Sequence, residues 1–188
     1  MKIGILGGTF NPIHLGHLIL AEEIREKIGL DRVIFVPTYL PPHKDNSNIA
    51  SAQMRLAMIK LAIVGNKNFA ISDIEIKRGG RSYTIDTIKE FNQKYPGDEL
   101  YFITGSDLLT YLEEWKDLNE IIKIVKFIVA TRPGYPLEKI PAYISTVDIR
   151  AVDISAFEVR ERIRENKSFR YLVPDVVFRY IIRKRIYK

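Results

Sequence analysis

The stretch "GILGGTFNPIHLGH", residues 4–17, decides how the rest of the chain is read. An apolar run gives way to two glycines, then a proline, then two histidines three residues apart. The spacing predicts a strand through Ile3-Gly4-Ile5-Leu6, a turn at Gly7-Gly8, and a helix beginning near Leu15 or Gly16 after Pro12. Glycines at such a turn let backbone approach a bound group closely and permit unusual φ values. A helix N-terminus offers unpaired N–H groups and the positive end of a dipole, so a phosphate belongs there. His14 and His17 fall on one side of the first helical turn and both address the same anion. The stretch has the form of neither common phosphate loop, G-x-G-x-x-G or G-x-x-x-x-G-K-[ST]. An incidental surface pair and a metal site are the alternatives for two histidines at this spacing.

Outward from this stretch the same alternation repeats. Val33-Ile34-Phe35-Val36, Leu100-Tyr101-Phe102-Ile103 and Phe127-Ile128-Val129-Ala130 are short, continuous apolar runs, as expected of parallel strands buried on both faces. Between them lie helical stripes: Leu20, Ile24 and Ile28; Met54, Met58, Leu61 and Ala62; Ile85, Ile88 and Phe91. Residues 68–76 and 143–153 read as further strands. The pattern predicts an α/β protein with a Rossmann-like, doubly wound, mainly parallel sheet and a C-terminal helical segment. Ser155-Ala156-Phe157-Glu158 has the form of a capping box opening one terminal helix, and Pro174 opens the other as its first residue. The loop 37–50 is long and polar, and places His43 and Lys44 over the sheet edge that holds His14 and His17. Ligands of open parallel sheets bind beyond that carboxyl edge. The expected organisation is one domain, 1–188, with 155–188 as its basic helical end.

The chain has 188 residues, 46% of them hydrophobic, enough for a substantial core. No apolar run approaches the ~18 residues of a membrane span, and the N-terminal run is too short for a secretory leader. With no cysteine there is neither a disulfide nor a thiolate metal site. A cytoplasmic enzyme is expected. The net charge is +6, and residues 155–188 carry all of it, with ten Lys or Arg against four Asp or Glu. Such a segment attracts polyanions, or serves only as a solvated face.

"GGTFNPIHLGH" resembles the G-x-F-x-P-x-H-x-G-H signature of the nucleotidyltransferase superfamily. The likeness continues through "PPHK", "SYTIDT", "GSDLL", the Trp of "EEWKDL", "RPGYP" and "SFRYLVPDVVFRYI". Together these are similar to the nicotinate-nucleotide adenylyltransferases over essentially the whole chain. The resemblance implies a reaction joining nicotinate mononucleotide to ATP to give deamido-NAD and pyrophosphate. It also implies Mg²⁺ carried on the ATP phosphates, with no metal ligand from the protein. A phosphate monoester has a second pKa of about 6 and is largely ionised near neutrality. The task is therefore to position two anions and stabilise a leaving one, not to supply a base or a nucleophile.

By the same resemblance His14, His17, Lys44 and Arg160 are the catalytic candidates. Gly7, Gly8, Thr9, Phe10, His14, His17, Gly105, Asp107, Ser155 and Arg160 are expected to meet ATP. Lys44, Tyr83, Thr84 and Trp115 are expected to meet nicotinate mononucleotide, with Trp115, the only tryptophan, against the ring. Arg81 and Gly79-Gly80 suit an anion-seeking loop beside them. Where the family commonly carries a second serine and a threonine before its terminal helix, this chain has Ala156 and Phe157. Tyr39-Leu40 likewise stands where relatives often carry a polar residue. Nicotinamide mononucleotide and phosphopantetheine are alternative co-substrates on the same scaffold. A nucleic-acid-binding module built on Phe169-Arg170-Tyr171 and Phe178-Arg179-Tyr180 is a more distant alternative. No nucleic-acid or membrane partner is expected, and monomer and homodimer both stay open.

Overall fold

The computed structural model describes residues 1–41, 49–131, 140–150 and 152–188, apart from the side chains of residues 107, 108, 110 and 111. Every continuous apolar run is a strand. These strands are β1 (Lys2–Gly8), β2 (Arg32–Pro37), β3 (Phe69–Ile71), β4 (Glu99–Gly105), β5 (Lys126–Thr131) and β6 (Ile144–Asp148). They form one sheet in the order β3-β2-β1-β4-β5-β6, with every neighbouring pair parallel. The chain leaves β1 toward β2 on one side and later returns to place β4 on the other. The carboxyl ends of β1 and β4 therefore border the crevice where the winding reverses.

Alternate residues of each strand feed two different cores, which explains why the runs are continuous. Leu6, Phe35, Tyr101, Ile103, Ile128 and Val147 pack on one face; Ile5, Ile34, Phe102, Phe127, Val129 and Ile144 pack on the other. The first face is covered by α1 (Leu15–Ile28), α2 (Ala52–Ile63), α6 (Ala156–Arg164) and α7 (Asp175–Lys184). The second is covered by α4 (Thr84–Lys94), α5 (Leu118–Ile124) and a 3-10 helix, Ser106–Glu114. A five-residue helix, α3 (Ile74–Arg78), precedes α4.

Helix α1 begins at Leu15, as the sequence predicts, and ends at Gly29, whose left-handed φ of 68° caps the last carbonyls. The expected strand over 68–76 is shorter: β3 stops at Ile71, and Ile74 already opens α3. Ser155 caps α6 by accepting from the Glu158 N–H at 3.0 Å. The Glu158 carboxylate turns instead to Arg162, at 2.8 Å, so only half of the capping box forms. Pro174 is the cap of α7 rather than its first residue, because α7 starts at Asp175. Of the aromatics interleaved with arginine, Phe169 is buried in the first core and packs on Phe178 at 4.7 Å. Among the described residues no helix is long and apolar enough to cross a membrane.

Candidate active site

A cleft of about 240 Å³ opens at the carboxyl ends of β1, β2 and β4. Its floor is backbone and small side chains: Gly7, Gly8 and Thr9 from β1 and its turn, Val36 from β2 and Thr38 just beyond it, Thr104 from β4. Its far wall is aromatic. Trp115 lines the cleft and stands edge-on to Phe102 at 5.4 Å between ring centres. Tyr83 and Thr84 bring the start of α4 to the same cavity. The first N–H groups of that eleven-residue helix have no partner within it. The Lys116 ammonium lies over the Tyr83 ring at 4.9 Å, adding positive charge to this end.

The loops that shape this aromatic end are tied to each other. The Tyr39 N–H donates to Ser82 Oγ at 3.1 Å, and the Ser82 N–H donates to the Leu40 carbonyl at 3.1 Å. Gly79 and Gly80 have φ of 70° and 69°, and a Cβ at either would meet nothing within 4 Å. Conformation rather than space demands glycine there. Behind the loop, Glu75 is buried, lines the cleft and accepts from the Thr87 hydroxyl at 2.7 Å. Burial pushes its carboxyl pKa up, and the Thr87 and Ser82 hydroxyls bring it part of the way back.

The other end is built on the turn between β1 and α1. His14 caps α1, and its backbone N–H donates to Nδ1 of His17 at 3.2 Å. The two imidazoles stack at 3.6 Å between centres. Because Nδ1 of His17 accepts, its proton belongs on Nε2, which fixes the tautomer. Phe10 braces His17 edge-on at 5.0 Å. A Cβ on Gly16 would come within 3.0 Å of the His14 ring, so this glycine is what lets the imidazole lie where it does. The unusual φ expected of Gly7 and Gly8 falls instead on Phe10, at 46°. Phe10 is only 2% exposed, so the neighbouring ring packing over-determines that conformation. Gly8 is needed for space, since a Cβ there would approach the Phe10 ring at 3.1 Å.

The C-terminal helices reach this turn. Nη1 of Arg160 donates to the Asn11 carbonyl at 2.8 Å and to the Ala156 carbonyl at 3.0 Å. The Ile154 carbonyl lies 3.6 Å from where a Gly16 Cβ would be, which brings Ser155 next to the stacked imidazoles. Partial burial lowers the Arg160 pKa, yet a guanidinium remains charged.

The sequence reading missed what anchors the turn. Arg55 of α2 is 1% exposed, and its three donor groups go to backbone carbonyls. Nη1 reaches Thr9 at 2.7 Å, Nη2 reaches Tyr39 at 3.0 Å, and Nε reaches Ala50 at 3.0 Å. Asn11 Oδ1 accepts from the Ala50 N–H at 3.0 Å and from the Tyr187 hydroxyl at 2.8 Å. One sequence signal existed: Arg55 follows Met54 on the apolar stripe of α2, an odd place for a solvated arginine.

Of the expected site residues, Gly7, Gly8, Thr9, Tyr83, Thr84 and Trp115 meet in the one cleft. His14, His17, Ser155 and Arg160 gather at the adjoining turn. Phe10 lies in the core beneath them and does not line the cleft. Gly105 ends β4 and caps the 3-10 helix; Asp107 is in that helix, and its side chain lies outside the described residues. Lys44, His43 and all of "RPGYP" also lie outside them.

Residues 5–162 match the family model described as cytidylyltransferase-like. The nicotinate-nucleotide adenylyltransferase of Bacillus subtilis (strain 168) is 40% identical, with 100% of this chain and 98% of that protein covered. A probable nicotinate-nucleotide adenylyltransferase of Oceanobacillus iheyensis is 43% identical over 99% of this chain and 96% of its own length. This chain belongs to the nicotinate-nucleotide adenylyltransferase family. As a family member it is a nucleotidyltransferase on a Rossmann-like fold. Plasmodium falciparum nicotinic acid mononucleotide adenylyltransferase complexed with NaAD superposes with a TM-score of 0.83, covering 99% of this chain and 97% of that one. The same enzyme complexed with APC gives 0.80. Both are 20% identical to this chain, a likeness of fold.

Proposed function

We infer that the cleft joins nicotinate mononucleotide to ATP, forming deamido-NAD and releasing pyrophosphate. The observation that carries this reading is a cleft whose glycine floor runs on into a turn bearing two imidazoles. An aromatic wall and a helix N-terminus line the cleft, and Gly7, Gly8 and Thr9 lead from it to the adjoining turn, where His14 and His17 stack. A pyridine ring against Trp115 would place its carboxylate at the start of α4, by Tyr83 and Thr84, where N–H groups and the dipole favour an anion. The 5′-phosphate would then point along Gly7-Gly8-Thr9 toward His14 and His17.

The monoester is largely dianionic near pH 7, its second pKa being about 6, and attacks without a base. A bond forms from its oxygen to the α-phosphorus of ATP, and the bond from that phosphorus to the β-bridging oxygen breaks. Charge grows on the departing pyrophosphate. Neutral His17 offers Nε2–H to it, and no reorientation is needed because Nδ1 is already held by the His14 N–H. With Nη1 of Arg160 committed to two carbonyls, Nη2 is left for a phosphate oxygen. Ser155 Oγ already accepts from Glu158, so its remaining role is to donate. This one hydroxyl, together with the N–H groups of α6, stands in for the family's missing serine and threonine. Gly105 and Asp107 belong to the adenosine side. Lys44 joins the phosphate contacts by the resemblance alone.

Among the described residues no group of three or more His, Asp or Glu is placed to hold a metal ion. The donors at the turn are imidazole, guanidinium and N–H, which suit an anion. By the family resemblance, Mg²⁺ enters as part of the substrate, on the triphosphate oxygens. The C-terminal helices complete the triphosphate end through Arg160 and Tyr187, so the chain works as a single domain, and the cytoplasm is its proposed compartment.

Pyrophosphate release, measured with ATP and each of nicotinate mononucleotide, nicotinamide mononucleotide and phosphopantetheine, tests the reading. Turnover is expected to be strongest with the first. A preference for phosphopantetheine overturns the substrate while leaving the fold untouched.

A further inference from the structure

The buried Glu75 has no place in the reaction as derived so far, yet it stands in the wall of the cleft beside Ser82, Tyr83, Thr84 and Thr87. Its hydrogen bonds have a direction. Nη2 of Arg78 donates to Thr87 Oγ1 at 3.0 Å, and Thr87 gives its single hydroxyl proton to Glu75 Oε1 at 2.7 Å. Oε1 is therefore an acceptor. The other oxygen, Oε2, is buried and lacks a hydrogen bond of good geometry among the described residues, although the Ser82 hydroxyl also favours the charged carboxylate. A buried acceptor left this way is costly unless a ligand satisfies it or it carries a proton to donate.

We infer that Glu75 presents a neutral carboxyl whose Oε2–H donates to the carboxylate of the nicotinate ring, making it a specificity-determining residue of the proposed reaction. An ionised Glu75 would set two negative charges against each other in a nearly dry wall, which favours the amide analogue instead. Arg78 and Arg55 pull the Glu75 pKa down, but burial outweighs them, and each guanidinium is spent on other partners. Arg78, on its own helix, is paired with Glu90. Arg55, from α2, gives its donors to the Thr9, Tyr39 and Ala50 carbonyls. Lys116 lies over the Tyr83 ring, and Tyr83 is the remaining titratable group on this wall. Burial raises the Glu75 pKa, in the direction that keeps the proton. The neutral form is complete below the ordinary carboxyl pKa and is lost as pH rises through the raised one.

This role rests on the proposed function, and one experiment separates the two. The ratio of kcat/KM for nicotinate mononucleotide to that for nicotinamide mononucleotide is measured from mildly acidic to alkaline pH, which cancels effects common to both reactions. The wild type and Glu75→Gln are compared, with Glu75→Ala as the truncation. The wild-type ratio is expected to fall as pH rises. Glu75→Gln, whose amide keeps a donor without an ionisable proton, should hold the ratio within about threefold of the neutral wild type and flat with pH. Glu75→Ala should lose about tenfold or more at every pH, the worth of a hydrogen bond to a charged group. A wild-type ratio independent of pH overturns the role of Glu75, as does a decline that persists in Glu75→Gln or a several-fold rise in that variant. Wild-type protein that turns over neither nucleotide overturns the proposed function and this role with it.

Discussion

The two ends of the site are made rigid in opposite ways. At the imidazole end the backbone is held by side chains: Arg55 on the Thr9 carbonyl, Arg160 on the Asn11 carbonyl, Asn11 Oδ1 on the Ala50 N–H. At the aromatic end the side chains are held by other side chains: Trp115 by Phe102 and Phe127, Thr87 by Arg78 and Glu75. The difference matches what each end has to do. Charge develops at the first, so donors must be in place before the reaction and must not relax. The second holds a ring that changes little during the reaction, so its contacts set affinity and choice.

The comparison predicts a division of kinetic effects. The largest belongs to His17→Ala, which removes a preorganised donor from the developing charge: kcat should fall about 10²- to 10³-fold with little change in KM for ATP. An unchanged kcat breaks the comparison at its strongest point. Arg55→Ala should act through the scaffold, leaving three carbonyls without their buried donor. A loss of about 3 kcal/mol of stability, read as a Tm lower by about 10 °C in thermal unfolding, is expected. A Tm within error of the wild type would show that the turn holds itself.

Gly16→Ala sharpens the comparison more gently. The added methyl would press on the His14 ring, and a small displacement at the reacting end should lower kcat about tenfold while circular dichroism stays unchanged. The smallest effect is expected at the aromatic end. Trp115→Ala should raise KM for nicotinate mononucleotide about fivefold at nearly constant kcat, the worth of one aromatic contact. If Trp115→Ala lowers kcat as much as His17→Ala does, the two ends are not distinct in function.

The strands, the turn and the start of α1 were legible because each is written locally: an apolar run, two glycines, a proline, then helical spacing. The meeting of Tyr83, Thr84 and Trp115 with the glycine turn was legible only as a family pattern. No local signal states that residues so far apart in the chain share one cleft. Three other features were not legible. The strand expected over 68–76 breaks at Ile71 because Ile74 and Glu75 turn into α3, whose buried carboxylate has its partner Thr87 on another helix. Glu158 completes a capping box on paper, but Arg162, one turn on, draws its carboxylate away. The strain assigned to the glycines falls on Phe10, because ring packing against His17 and Phe35 dictates that backbone.

By itself the sequence determined the order of strands and helices, and the placing of an anion-binding turn at the end of the first strand. Both follow from side-chain period and backbone freedom, which act between near neighbours. Only the tertiary structure decided which nitrogen of His17 carries the proton, that an arginine would be buried to hold the turn, and that a carboxyl would stand in the wall of the ring pocket. Those depend on which donors and acceptors meet once water is excluded, and that meeting is a property of the packed chain.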